Sequence, residues 1–190
     1  NALRAARGLD LDQHRTAMGN LMSPFTRVAA ANPDAWFPTY RSPEELTTAT
    51  SQNRMVGFPY TKYLNAFLDT DQASAVLLMS QDKARALGVP ESKWVYWRGG
   101  AKQNEAQWFA SSRSDFARCP AIAACHNAAL DRAGLSLAQI DAFDLYSCFP
   151  VAVSMACEMF GVAEDDPRGH TVTGGLPYAG GPASAYSLHA

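Results

Sequence analysis

The sequence predicts an α/β fold with a largely parallel or mixed sheet. Segments of strand length alternate with helical segments in the order strand, helix, strand, helix, strand, helix, strand after Gly57. Residues 75–80 form an almost continuous apolar run, which is typical of a strand buried on both faces. Two segments, 120–134 and 150–161, each begin at a proline and end at a glycine, as helices do.

The first third of the chain has a different character. Residues 1–7 and 12–18 suit short helices, with Gly8 ending the first and Asp10 or Asp12 capping the second. Four prolines between positions 24 and 43 argue against a long helix or a central strand there. Ser42 and Pro43 predict the cap and first turn of a short helix. We therefore expect residues 1–57 to be a proline-rich segment and residues 58–190 to form the α/β unit.

The later elements follow in order. Helices are predicted over 81–87, 120–134 and 150–161, and strands over 75–80, 94–98, 142–146 and 170–173. A glycine that suits a helix C-terminus follows the first of these helices at position 88 and ends the other two at positions 134 and 161. The pattern predicts helices outside a sheet of buried strands.

Composition excludes several classes of protein. The 190 residues are 47% hydrophobic and 18% charged, with a net charge of −2, as in globular domains. No basic field is present to bind nucleic acid, and no apolar run approaches the 18 residues of a membrane span. The four cysteines have no zinc-ligand spacing and favour reduced thiols. No export signal is visible, so a cytoplasmic location is expected. No metal is expected.

Two strand-to-helix turns are the candidate sites, because α/β sheets bind ligands beyond the carboxyl ends of their strands. The first carries Tyr146, Ser147 and Cys148 ahead of Pro150, where a helix dipole favours a thiolate or an oxyanion. The residues alone favour packing roles for Tyr146 and Cys148. The second turn has four glycines between positions 174 and 181, which allow close backbone approach to a ligand.

His189 follows the second turn by eight residues. It is a candidate for the same site if the chain turns back there, although an exposed terminal histidine is the simpler interpretation. The acidic run at 164–166 is typical of a solvated loop.

Four ordered motifs resemble those of the thiolase superfamily, which includes acetyl-CoA acetyltransferases and sterol-carrier-protein thiolases. Residues 71–80 resemble the DGAAA segment and its strand, and residues 120–145 resemble the helix and strand before the NEAF motif. Residues 146–149, YSCF, stand where NEAF or HDCF stands, and residues 174–182 resemble the GGxxxxGHP loop. The likeness covers roughly Phe58 to Ala190.

This resemblance implies the C-terminal half of a thiolase-like protein, apparently truncated. It would be a mixed five-stranded sheet with helices on both faces, preceded by part of a loop region. It implies an acyl-CoA substrate in lipid metabolism, no cofactor beyond the coenzyme A thioester, and a homo-oligomer.

The family motifs are altered in this chain. Tyr146 takes the place of the NEAF asparagine, and Gly181 takes the place of the GHP histidine, which is the usual base. The resemblance implies a catalytic role for Tyr146 and substrate contacts at Ser147, Cys148, Gly180 and Gly181. His189 is the second candidate catalytic residue because of its position after the altered loop. The nucleophilic cysteine of the family lies outside this chain, and a chain without it is expected to be inactive alone.

Three functions remain open at this point. The first is an acyltransferase of the acetyl-CoA acetyltransferase type. The second is a thiolase-like aldolase that cleaves a β-hydroxyacyl-CoA side chain with a small acyl-CoA-binding partner subunit. The third is a non-catalytic thiolase fold that binds acyl-CoA or lipid.

Overall fold

The computed structural model describes residues 1–183 and 185–190. Six α-helices and one two-stranded sheet are present among these residues. The helices are α1 (Ala2–Ala6), α2 (Leu11–Ala31), α3 (Pro43–Thr47), α4 (Gln81–Ala86), α5 (Pro120–Ala133) and α6 (Pro150–Phe160). The strands are β1 (Met55–Gly57) and β2 (Tyr60–Thr61), which pair antiparallel. Short 3-10 turns cover Lys62–Leu64, Glu91–Lys93, Ala110–Ser112, Leu137–Gln139 and Ala183–Leu188.

Helix α2 is longer than the prolines predict. It begins at the Asp10 cap, whose side chain accepts from the Gln13 amide, and it continues through Pro24 to Ala31. The predicted break is wrong because α2 buries one apolar face, including Met18, Met22 and Phe25, and this packing outweighs the missing proline hydrogen bond. Helix α2 packs on α3 and α6.

The other predicted helices are confirmed. Helices α5 and α6 each begin at a proline, and each ends at a left-handed glycine, Gly134 or Gly161. Helix α3 has the predicted Ser42 cap, whose side chain accepts from the Glu45 amide. Local signals sufficed at these ends because caps and terminal glycines satisfy the helix's own backbone groups.

The predicted sheet is not formed among the described residues. Segments 75–80, 94–98, 142–146 and 170–173 are not paired into a sheet, and one backbone hydrogen bond, from Leu145 N to His170 O at 2.9 Å, joins the last two. Leu77 and Leu78 are 85% and 91% exposed instead of buried on both faces. An extended segment becomes a strand only when a neighbour pairs with its backbone, and β1–β2 is the only such pairing in residues 1–183 and 185–190.

The hydrophobic core lies where α2, α3 and α6 meet the segment before α6. Phe143 and Leu145 enter this core from the predicted strand 142–146, and Tyr178 enters it from the glycine-rich loop. The core therefore fixes both candidate turns against the same helices. No helix in the described part of the chain is long and apolar enough to cross a membrane.

Candidate functional site

Asp144 organises the turn that leads into α6. One carboxylate oxygen accepts hydrogen bonds from the Thr171 hydroxyl at 3.0 Å and from the Val172 amide at 3.0 Å. The same oxygen accepts from the Thr173 hydroxyl at 3.1 Å. A carboxylate with this many donors holds the chain at 171–173 beside its own turn.

Tyr186 completes this network from the far side of the glycine-rich loop. Its hydroxyl donates to the other Asp144 oxygen at 2.8 Å and lies 2.8 Å from the Thr173 hydroxyl. Burial raises the pKa of the Tyr186 phenol, which therefore stays protonated as a hydrogen-bond donor. The chain after residue 182 is thus tied back onto the turn before α6.

Tyr146, Ser147 and Cys148 occupy three different environments. Tyr146 is 56% exposed, and its ring meets the edge of the Tyr186 ring with 6.4 Å between centroids. Ser147 is fully buried, and its hydroxyl accepts from the Leu176 amide at 3.0 Å. Cys148 is half-buried, and its carbonyl accepts from the Ala66 amide at 2.9 Å. Of these three residues, only Tyr146 is exposed.

Cys148 does not carry the activated thiol that a helix N-terminus would favour. Burial raises the pKa of the Cys148 thiol, and the backbone amides at Cys148 and Phe149 only partly offset this. The thiol is therefore protonated at neutral pH, which supports a packing role. Cys157 is also buried, and its pKa rises to about 12.

The glycine-rich loop packs too tightly to hold side chains at its glycines. A Cβ on Gly175 would lie 2.6 Å from the Ser147 hydroxyl, and one on Gly181 would lie 2.8 Å from the Phe67 carbonyl oxygen. The Gly181 amide donates to that carbonyl at 2.8 Å, and the Phe67 amide donates to the Leu176 carbonyl. The family's histidine therefore has no room at position 181 in this backbone.

The structure brings the two predicted turns together. Ser147 contacts the loop directly at Leu176, and residues 66–67 bridge Cys148 to Gly181. Gly180 and His189 line one small cavity with Tyr186, and Tyr146, which is not a lining residue, packs against the Tyr186 ring. The predicted site residues thus share one region of the fold, in which Tyr186 both lines the cavity and contacts Tyr146.

Sequence reasoning missed Asp144, Gln72 and Tyr186. A carboxylate inside an apolar segment such as 142–146 must find donors, so Asp144 carried a readable signal. Gln72 stands at the glycine of the resembled DGAAA segment, and its amide nitrogen donates to the Ala179 carbonyl at 2.8 Å. No local pattern marks Tyr186, because its partners lie 13 and 42 residues away.

Comparison with solved structures identifies the family. The chain aligns over its whole length with a monomeric SCP2-thiolase-like protein type 1 from Mycobacterium smegmatis, with 44% sequence identity and a TM-score of 0.86. The chain belongs to the thiolase superfamily. No protein-family model matches this chain, and a search of curated proteins finds no match.

The thiolase-like fold of this relative fits the predicted α/β class, although the described residues pair only two strands. The chain spans 42% of the relative's length. The relative is described as monomeric, so it does not support the expected homo-oligomer.

Proposed function

We propose that this thiolase-superfamily chain supplies part of a site for a coenzyme A thioester, with Tyr146 in place of the usual NEAF asparagine. The observation that carries the proposal is the position of Tyr146. Its phenol is half-exposed at the rim where the glycine-rich loop meets the turn before α6. A phenol there serves as a hydrogen-bond donor to a thioester oxygen or as a proton carrier.

The surroundings of Tyr146 favour a fixed donor. The Tyr186 ring packs edge-on against it, and Tyr186 is itself held by Asp144 and Thr173. Pre-oriented donors stabilise the oxyanion that develops at a thioester carbonyl. The protein would thus retain oxyanion stabilisation while its acyl-transfer groups are altered.

The reaction proposed first is acyl transfer of the acetyl-CoA acetyltransferase type in lipid metabolism. Retro-aldol cleavage of a β-hydroxyacyl-CoA is a second candidate, because position 181 lacks both the histidine and the space for it. As the Cα–Cβ bond breaks, the β-hydroxyl proton passes to solvent, and a phenol at residue 146 would donate a hydrogen bond to the oxygen of the acyl-CoA enolate, whose α-carbon is then protonated from solvent.

The test uses the polypeptide that carries residues 1–190, purified at its natural length. Acetoacetyl-CoA with free CoA is offered in one assay and a β-hydroxyacyl-CoA in another. Acetyl-CoA production supports acyl transfer, and release of a carbonyl compound with a shortened acyl-CoA supports the aldolase. Binding without turnover supports only the thioester site and overturns both reactions. Failure to bind either thioester by calorimetry overturns the proposal as a whole.

A further inference from the structure

A small polar cavity of about 60 Å³ lies beside the candidate site. Six of its eight lining residues carry polar side chains, and the other two belong to the glycine-rich loop. The lining residues are Asn32, Asp34, Gln72, Thr173, Ala179, Gly180, Tyr186 and His189. A water molecule occupies about 30 Å³ in the liquid, so the cavity is large enough for one or two waters or for a hydroxyl-bearing group.

Most polar groups around the cavity already have partners. The Asn32 amide nitrogen donates to the Thr173 carbonyl at 2.9 Å, and its amide oxygen accepts from the Asp34 amide at 3.0 Å. The Tyr186 hydroxyl is engaged by Asp144 and Thr173. The hydrogen-bonding groups of these side chains are therefore already paired.

Two buried atoms on the lining residues lack a partner among the described residues. They are the Gln72 amide oxygen and His189 Nε2. The orientation of Gln72 is determined, because its amide nitrogen donates to two carbonyl oxygens, those of Ala179 at 2.8 Å and Asp34 at 3.2 Å. Its oxygen therefore requires a donor from another source, since leaving a buried acceptor unsatisfied costs about 1–3 kcal/mol.

We propose that this cavity is a binding site for an O–H group that donates to the Gln72 amide oxygen and hydrogen-bonds His189 Nε2. An O–H group suits both atoms, because it donates to an amide oxygen and either donates to or accepts from an imidazole nitrogen. The ligand is either an ordered water or the hydroxyl of a bound substrate. The substrate source rests on the proposed thioester function, and the water source does not.

The number of hydrogens on the bound group also determines which tautomer of His189 is compatible with it. A hydroxyl has one hydrogen, so when it donates to Gln72 it must accept from a protonated Nε2. A water has two hydrogens and satisfies Nε2 in either tautomer. The occupant and the histidine tautomer are therefore linked.

A crystal structure at high resolution, together with water–protein NOE spectra of the labelled chain, tests this site. We expect ordered density within about 3.2 Å of both the Gln72 oxygen and His189 Nε2, and a water NOE to the His189 ring. The His189→Phe variant should lose the ordered density next to the side chain of residue 189. The His126→Phe variant, whose substitution lies outside the cavity, should keep that density. An empty cavity without a water NOE overturns the proposal.

The source of the O–H group is decided by adding 3-hydroxybutyryl-CoA or acetoacetyl-CoA. Replacement of the water by the hydroxylated thioester alone assigns the site to substrate. Water that persists with both compounds assigns it to a resident water. If neither thioester binds, the proposed function fails while the ordered water still supports the site.

Discussion

The Tyr186 hydroxyl donates to the Asp144 carboxylate at 2.8 Å and so joins the end of the glycine-rich loop region to the turn that carries Tyr146. The two residues are 42 positions apart. Because Tyr186 also contacts the Tyr146 ring, the position of the candidate phenol depends on this hydrogen bond.

Replacing Asp144 with Ala should destabilise the chain more than replacing Tyr186 with Phe. Tyr186→Phe removes one donor and should lower the free energy of unfolding by about 1–3 kcal/mol. Asp144→Ala leaves Tyr186 and two threonine hydroxyls without their shared acceptor and should cost about 3 kcal/mol or more. Urea titrations of the three proteins measure these differences. Equal stability of wild type and Asp144→Ala would contradict the network.

Gly174→Ala should be among the most disruptive single changes in the loop. Gly174 has φ +108°, and a Cβ there would lie 2.7 Å from the Ala29 Cα in helix α2. We expect a loss of about 3 kcal/mol or more, from strain plus collision. Gly161→Ala is the matched control, since its φ is also positive at +70° but nothing lies within 4 Å. That control should cost only about 1–2 kcal/mol in thermal unfolding. Similar losses for both would show that the contact with α2 is unimportant.

Stability at acidic pH should depend on Asp166. Arg168 donates to both Asp166 oxygens, at 2.8 Å each, and holds the pKa of that carboxyl well below its usual range. Since the folded-state pKa lies below the unfolded one, the ionised carboxylate stabilises the fold above about pH 4 and loses this effect as the pH falls further. Asp166→Asn should therefore be less stable at pH 7 and should lose less stability between pH 4 and pH 2. Identical pH profiles from denaturant titrations would contradict this; Arg168→Lys, which keeps the charge, should lie between the two.

The exposed apolar side chains lie outside the hydrophobic core of this chain, so replacing them should affect surface properties more than stability. Leu78 is 91% exposed and Trp97 is 85% exposed, whereas Leu64 is fully buried. Leu78→Lys should change the unfolding free energy by less than about 0.5 kcal/mol and should reduce binding of a hydrophobic dye. Leu64→Ala should cost about 2–5 kcal/mol. A large loss of stability for Leu78→Lys would mean that residues 75–79 are packed in solution.

Local signals in the sequence predicted the helices that end in caps, prolines and glycines. They failed at Pro24, because packing of the buried face of α2 outweighs the one hydrogen bond that the proline cannot make. They failed at the strands, because strand pairing is a non-local property. The turn at residues 146–148 and the glycine-rich loop were predicted from strand-to-helix geometry, and the structure places them together. Tyr186 could not be predicted because its contacts join distant segments, whereas the half-buried carboxyl group of Asp144 was a signal in an apolar run.

The measurement that tests the central claim most directly is the effect of Tyr146→Phe on kcat/KM for the thioester that the natural-length polypeptide turns over. The account predicts a fall of about 100-fold or more, as expected when a hydrogen-bonding or proton-carrying group is lost. Tyr40→Phe, at another half-exposed tyrosine, should leave the rate unchanged. Rates for Tyr146→Phe within about twofold of wild type, with unchanged stability, would contradict the role assigned to this phenol.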